Sequence, residues 1–180
     1  MKKIAFTRPA LIGMAMSAMA LPVAAQAQSN EDPKVEAYVG ASAGIHELDI
    51  GVPGDNGGIY GVVAGVDVPV GKTFFVGAEG NYHIGDGAID SEYGVAARAG
   101  VRVGETGKVF VRGGYQEVDF DLNNLFGIAV PPGFDTTDGD YLVGAGVEFG
   151  LGDNPIRFRA GIDTIAFDTT RATVGVLYAF

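Results

Sequence analysis

From residue 35 onward the chain alternates apolar and polar positions with a period of two, in segments of about ten residues separated by turn residues. Eight such segments fall at 35–45, 58–69, 74–84, 91–103, 108–118, 139–149, 155–165 and 171–180. In the fourth, Tyr93, Val95, Ala97, Ala99, Val101 and Val103 share one face, while Glu92, Gly94, Ala96, Arg98, Gly100 and Arg102 share the other. Successive side chains of a strand point to opposite sides, so the pattern predicts strands with one oily and one polar wall. The connections at 70–73, 104–107 and 150–154 are short and rich in turn residues, whereas those at 46–57, 85–90, 119–138 and 166–170 are mostly longer and acidic. Tight turns on one rim, loops on the other and an even strand number predict an all-β, eight-stranded antiparallel up-and-down transmembrane β-barrel with both ends on the short-turn rim.

Carried through the chain, this phase puts all six arginines beyond residue 27, Arg98, Arg102, Arg112, Arg157, Arg159 and Arg171, on the polar face. An arginine facing lipid near mid-depth costs roughly 2–4 kcal/mol, so their exclusion from the apolar face fits a lipid-facing wall. Two aromatic rows bound that wall. Tyr60, Tyr82, Tyr93, Tyr115 and Tyr141 sit at one level, and Phe74, Phe149, Phe158, Tyr178 and Phe180 at the other. Rings with one apolar and one wet side settle at bilayer interfaces. Eight residue steps separate Phe74 from Tyr82 and Tyr141 from Phe149; on a strand tilted by about 40° this spans ~20 Å, close to a thin hydrocarbon layer. The alternative is a soluble barrel with its apolar face inward, which alternation by itself does not exclude. The recurrence of glycine on the charged face, where a narrow lumen crowds side chains, and the aromatic rows favour the membrane reading.

Residues 1–27 read as an export signal, with Lys2, Lys3 and Arg8 before an apolar stretch and Ala25-Gln26-Ala27 as a small-x-small cleavage site. The expected mature chain, 28–180, carries 9 Lys and Arg against 22 Asp and Glu, a net charge of −13. That balance argues against nucleic acid as a partner, since phosphate contacts need a basic surface. Without cysteine there is no lipid anchor, disulfide framework or thiolate metal site. No cofactor is expected.

At the last segment, Gly175-Val176-Leu177-Tyr178-Ala179-Phe180, the terminal aromatic preceded by Tyr178 and Val176 at alternate positions resembles the C-terminal signal by which the outer-membrane assembly machinery recognises its barrels. With the export signal and eight strands, the chain resembles the small outer-membrane β-barrel family of opacity proteins and the transmembrane part of outer-membrane protein A, the porin-family type of barrel. The resemblance implies insertion into a Gram-negative outer membrane, contact with lipopolysaccharide, and passage through periplasmic chaperones and the assembly machinery. The sequence as read ends with the barrel, so the peptidoglycan-binding domain of outer-membrane protein A is not expected.

Candidate chemistry concentrates in the inward charges. Glu79 and Arg98 fit one register; Glu148 is expected opposite Arg157 with Arg159 two residues on, and Asp163 near Arg171, while Glu36, Asp67 and Glu92 add acid. Arg102 and Arg112 complete the set. Such a constellation is either an ion path or a packed polar plug, and eight strands leave an interior just wide enough for side chains to fill, which favours the plug. Of the two histidines, His46 is read at the start of the first loop and His83 inward near the outer end of the third strand. Because some barrels of this size modify lipid A, the pair Ser91 and His83 is the best candidate for a hydrolase or acyltransferase site, against the simpler reading of a turn serine and a rim histidine. The acidic loops form a solvated rim or bridge cations to lipopolysaccharide phosphates. Within 119–138, Leu122, Leu125, Phe126, Ile128, Val130, Pro131 and Pro132 make the loop unusually apolar, the preferred place for a surface partner. A structural or surface-interaction role leads; a narrow channel for small or apolar solutes and a lipid A-modifying enzyme are the alternatives.

Overall fold

The computed structural model describes residues 34–47, 56–86, 89–120, 137–152 and 154–180. The expected export signal, most of the 119–138 connection and the first long loop lie outside the described residues. Within them are eight strands, β1 (Glu36–Glu47), β2 (Asn56–Val70), β3 (Phe74–Gly85), β4 (Ile89–Val103), β5 (Gly107–Phe120), β6 (Thr137–Gly150), β7 (Ile156–Ile165) and β8 (Thr169–Ala179). No helix among the described residues is long and apolar enough to cross a membrane. Every strand pairs antiparallel with its sequence neighbour, and β1 closes on β8, so the sheet is a barrel without edges. Closure matters in lipid, where an unpaired strand edge would leave backbone groups with no hydrogen-bonding partner.

The alternation sorts the side chains as the sequence predicts. Val62, Val95, Val111 and Val174 are each more than half exposed on the outer wall, while Arg98, Arg112, Arg159 and Arg171 are buried in the lumen. Short turns at 71–73 and 104–106 use Gly71 (φ 67°) and Gly104 (φ 64°), whose left-handed backbone a side chain would strain. The β7–β8 connection is tighter than expected. Residues 166–168 turn the chain with Ala166 (φ 54°) and Phe167 (φ 62°) both left-handed, a hairpin geometry normally given to Asn or Gly. The Phe167 ring lies 5.5 Å from that of Tyr141.

All five tyrosines of the upper row are exposed, and Tyr82 stands directly opposite Tyr93, as Tyr115 does opposite Tyr141. At the other level Phe74, Phe149, Tyr178 and Phe180 are exposed; Phe158 is half-buried because it stacks on Phe149, 5.6 Å between centroids. The upper row covers β2 to β6 alone. On β1 the residue opposite Tyr60 is Ala43, and beside Tyr141 the β7–β8 turn presents Phe167.

Candidate functional site: the filled lumen

Inward positions on all eight strands converge on one network of ion pairs. Glu79 of β3 is its centre: it accepts from Tyr38 (2.6 Å), Arg112 (2.5 Å), Arg98 (3.3 Å) and Arg159. Asp163 of β7 takes Nε and Nη2 of Arg112 at 2.7 and 2.6 Å, a bidentate fork, and also Arg171 at 3.0 Å. Glu148 of β6 accepts from Arg159 at 2.9 Å and Arg98 at 3.3 Å. Toward the short-turn end, Asp67 binds Lys108 (2.8 Å) and Arg98 (3.2 Å), and Lys108 also reaches Glu36. Lys108 is a member that the sequence reading left out, although its position four residues before Arg112 on the same face, with Phe110 between them, would have placed it inward.

Many of these bonds cross the lumen instead of following neighbouring strands. Arg159 of β7 reaches Glu79 of β3, and Arg171 of β8 reaches Glu92 of β4 at 2.5 Å. Strand pairing alone does not give these contacts. Direct cross-strand partners are Glu148 with Arg159, Asp163 with Arg171, Lys108 with Glu148 and His83 with Glu92.

Arg157 stands elsewhere. The register sets it opposite Gly150 while Glu148 faces Arg159, two residues from the expected pairing, and Arg157 Nη1 donates to the carbonyl of Asn154 (2.5 Å) at the short-turn rim. The turn after β6 begins later than the turn residues suggest, so the hairpin shifts by one inward position. Arg102 points inward at the same end with buried Nε and Nη2 atoms that have no hydrogen-bond partner.

Both histidines meet one carboxylate. His46 is not at a loop start but inside β1, 1 % exposed, with Nδ1 2.9 Å from Glu92; Nδ1 of His83 lies 3.3 Å from the same carboxylate. The expected Ser91–His83 pair does not form. Ser91 stands opposite Ile84 and donates to Asp119 at 3.3 Å. The serine beside His83 is Ser42 of β1, with Oγ 2.7 Å from Nε2. Ser42, His83 and Glu92 therefore follow the order of a hydrolase triad. Asn81 also approaches the His83 Nδ1, at 3.2 Å, and the space beside Ser42 is a cavity of about 20 Å³, room for one small molecule and not for an ester substrate.

Apolar groups close the two ends differently. At the long-loop end Ile59, Ile89, Val118, Leu142 and Ile165 pack into one buried cluster across the lumen. At the short-turn end rings interleave with the charges: the Arg98 guanidinium lies 4.0 Å from the Phe110 centroid and 5.3 Å from that of Phe75, and Arg159 lies 4.7 Å from that of Tyr38. The sequence reading missed Tyr38, Phe75 and Phe110 because it looked for aromatic residues on the outer wall and in the 119–138 loop and left these three unassigned. Their parity with Glu36, Glu79 and Arg112 was the available signal.

Among solved structures the chain is similar to the attachment invasion locus protein Ail of Yersinia pestis, at 16% identity and TM-score 0.56 over 83% of this chain and 100% of that one. The N-terminal β-barrel domain of Pseudomonas aeruginosa OprF matches at 12% identity and TM-score 0.54, over 83% and 100%; the Neisserial surface protein NspA at 12% and 0.50, over 84% and 100%. At these identities the likeness speaks for the fold. Comparison with curated proteins by sequence finds no match. The model of the outer membrane protein β-barrel domain matches residues 14–180. Closed topology, an outward apolar wall and that match together make the chain a member of the outer-membrane β-barrel domain family, and the outer membrane its location.

Proposed function

We propose that this protein is a non-enzymatic outer-membrane barrel with a structural or surface-interaction role, its lumen a permanently filled plug and its long-loop rim the working surface. One observation carries the closed lumen: charged pairs bridge opposite walls beneath a continuous apolar layer, Ile59, Ile89, Val118, Leu142 and Ile165. An ion crossing that layer would shed its water with nothing polar to replace it. On this reading the export signal is removed after Ala27, lipopolysaccharide surrounds the wall, and residues 119–138 meet a surface partner.

Ail of Yersinia pestis has been crystallised with sucrose octasulfate, a heparin analogue. A sulfated ligand does not suit this chain, whose exposed charged groups at the long-loop end among the described residues, Glu47, Asp86, Asp90, Asp138 and Asp168, are all acids. The rim fits a cationic partner or lipopolysaccharide bridged by divalent ions.

Barrels refolded into liposomes test the plug. They should release small ions and sugars no faster than protein-free vesicles, whereas a selective flux would establish the channel reading instead. The Ser42–His83–Glu92 alignment supports a lipid A hydrolase as second reading; a lipid A mass spectrum that changes with His83→Ala would favour it, and an unchanged one removes it.

A further inference from the structure

The cavity beside Ser42 is lined in an unusual way. Its wall carries Arg112, Arg159 and Arg171 together with His83, Ser42, Asn81 and Thr173, and no carboxylate. The carboxylates that neutralise these arginines lie behind them. Arg112 uses its Nε, Nη1 and Nη2 toward Glu79 and Asp163, Arg159 toward Glu79 and Glu148, and Arg171 toward Asp163 and Glu92. A guanidinium has five N–H groups, so three such commitments leave each with two to spare. Around the same space stand the Ser42 and Thr173 hydroxyls, the Asn81 amide and the His83 imidazole that pairs with Ser42, with Val63, Val174, Gly175 and Leu177 completing the wall.

We propose that this cavity is a binding site for a small monovalent anion of halide size. A volume of about 20 Å³ accepts one water-sized species, which excludes phosphate, sulfate and organic acids. Water is the competitor. Water asks for acceptors as well as donors, which here come only from neutral groups, the Ser42 and Thr173 hydroxyls, Asn81 and His83, whereas the three guanidiniums of the wall are charged and only donate. Among the described residues the paired network holds six acids, Glu36, Asp67, Glu79, Glu92, Glu148 and Asp163, against five bases, Arg98, Lys108, Arg112, Arg159 and Arg171. That imbalance works against an anion at long range and makes the affinity weak; the donors in direct contact supply the selectivity.

Gly161 provides a mild way to crowd Thr173 and Arg112, two of the side chains that line the site. A methyl group there would sit 3.6 Å from Thr173 Oγ1 and 3.8 Å from Arg112 Nη2, both residues of the cavity wall, and 3.5 Å from the nearest backbone atom, all ordinary contacts. The experiment compares unfolding midpoints of the refolded barrel in zwitterionic detergent, in sodium bromide or chloride against sodium gluconate at equal ionic strength, and locates bromide by anomalous scattering in crystals. Expected are a bromide peak in contact with Ser42 and the guanidiniums, and a midpoint that rises saturably with halide. Gly161→Ala should abolish that rise while keeping its gluconate midpoint, and Ser42→Ala should weaken apparent halide affinity about tenfold. A cavity containing water without anomalous signal, or a halide response identical in wild type and both variants, overturns the site. A barrel that leaks ions yet binds bromide here would refute the plug and leave this inference standing.

Discussion

The two walls of the same strands obey different rules. On the outer wall each side chain answers to lipid and to little else, so Val, Ala and Ile serve alike between the aromatic rows. On the inner wall nearly every charged group has named partners, several on strands two to four places away, as with Glu79 and Arg159 or Glu92 and Arg171. A change outside is therefore judged by hydrophobicity and depth, and a change inside by what it strands. The lumen network ties opposite sides of the barrel, which strand pairing cannot do.

The largest effect should come from the centre of the inner wall. Glu79→Ala leaves Arg98, Arg112 and Arg159 facing a missing carboxylate and should cost about 3–5 kcal/mol in urea unfolding from lipid vesicles. Arg98→Ala should cost less: Glu79 is met by three bases and the Tyr38 hydroxyl at the centre of the network, whereas the acids that Arg98 meets, Asp67, Glu79 and Glu148, each keep another base. The double variant should lose less than the sum of the two, and strict additivity would dissolve the network into independent pairs. Next is the outer wall. Val95→Arg, at a position 57% exposed near the middle of β4, should cost about 2–4 kcal/mol in the same assay. A neutral result would mean that this wall does not face acyl chains. Smallest is Arg157→Ala, within about 0.5 kcal/mol of wild type, since the side chain sits at the rim on backbone carbonyls and not in the lumen. A loss as large as that of Glu79→Ala would return Arg157 to the network.

Period-two alternation was enough to delimit all eight strands within a few residues and to assign inside and outside, because a one-residue slip would move a whole strand's charges into lipid. Partner choice was less accessible. The β6–β7 hairpin turned two residues away from the expected register, so Arg159 and not Arg157 met Glu148. Ser91 was adjacent to His83 in a hairpin count, yet β1 brought Ser42 from 41 residues away. A bulge between Ile89 and Ser91 reverses the local phase and turns Ile89 inward, completing an apolar layer that simple alternation would have left open on β4.

The linear order of residues thus determined the barrel, its membrane-facing wall and the polarity of its interior, since these depend on local periodicity and on the cost of placing charge in lipid. Closure of the sheet decided the rest. Which acid meets which base, where both histidines converge and where a donor-lined space remains all depend on the distance across the lumen, a quantity that exists only once β1 has joined β8.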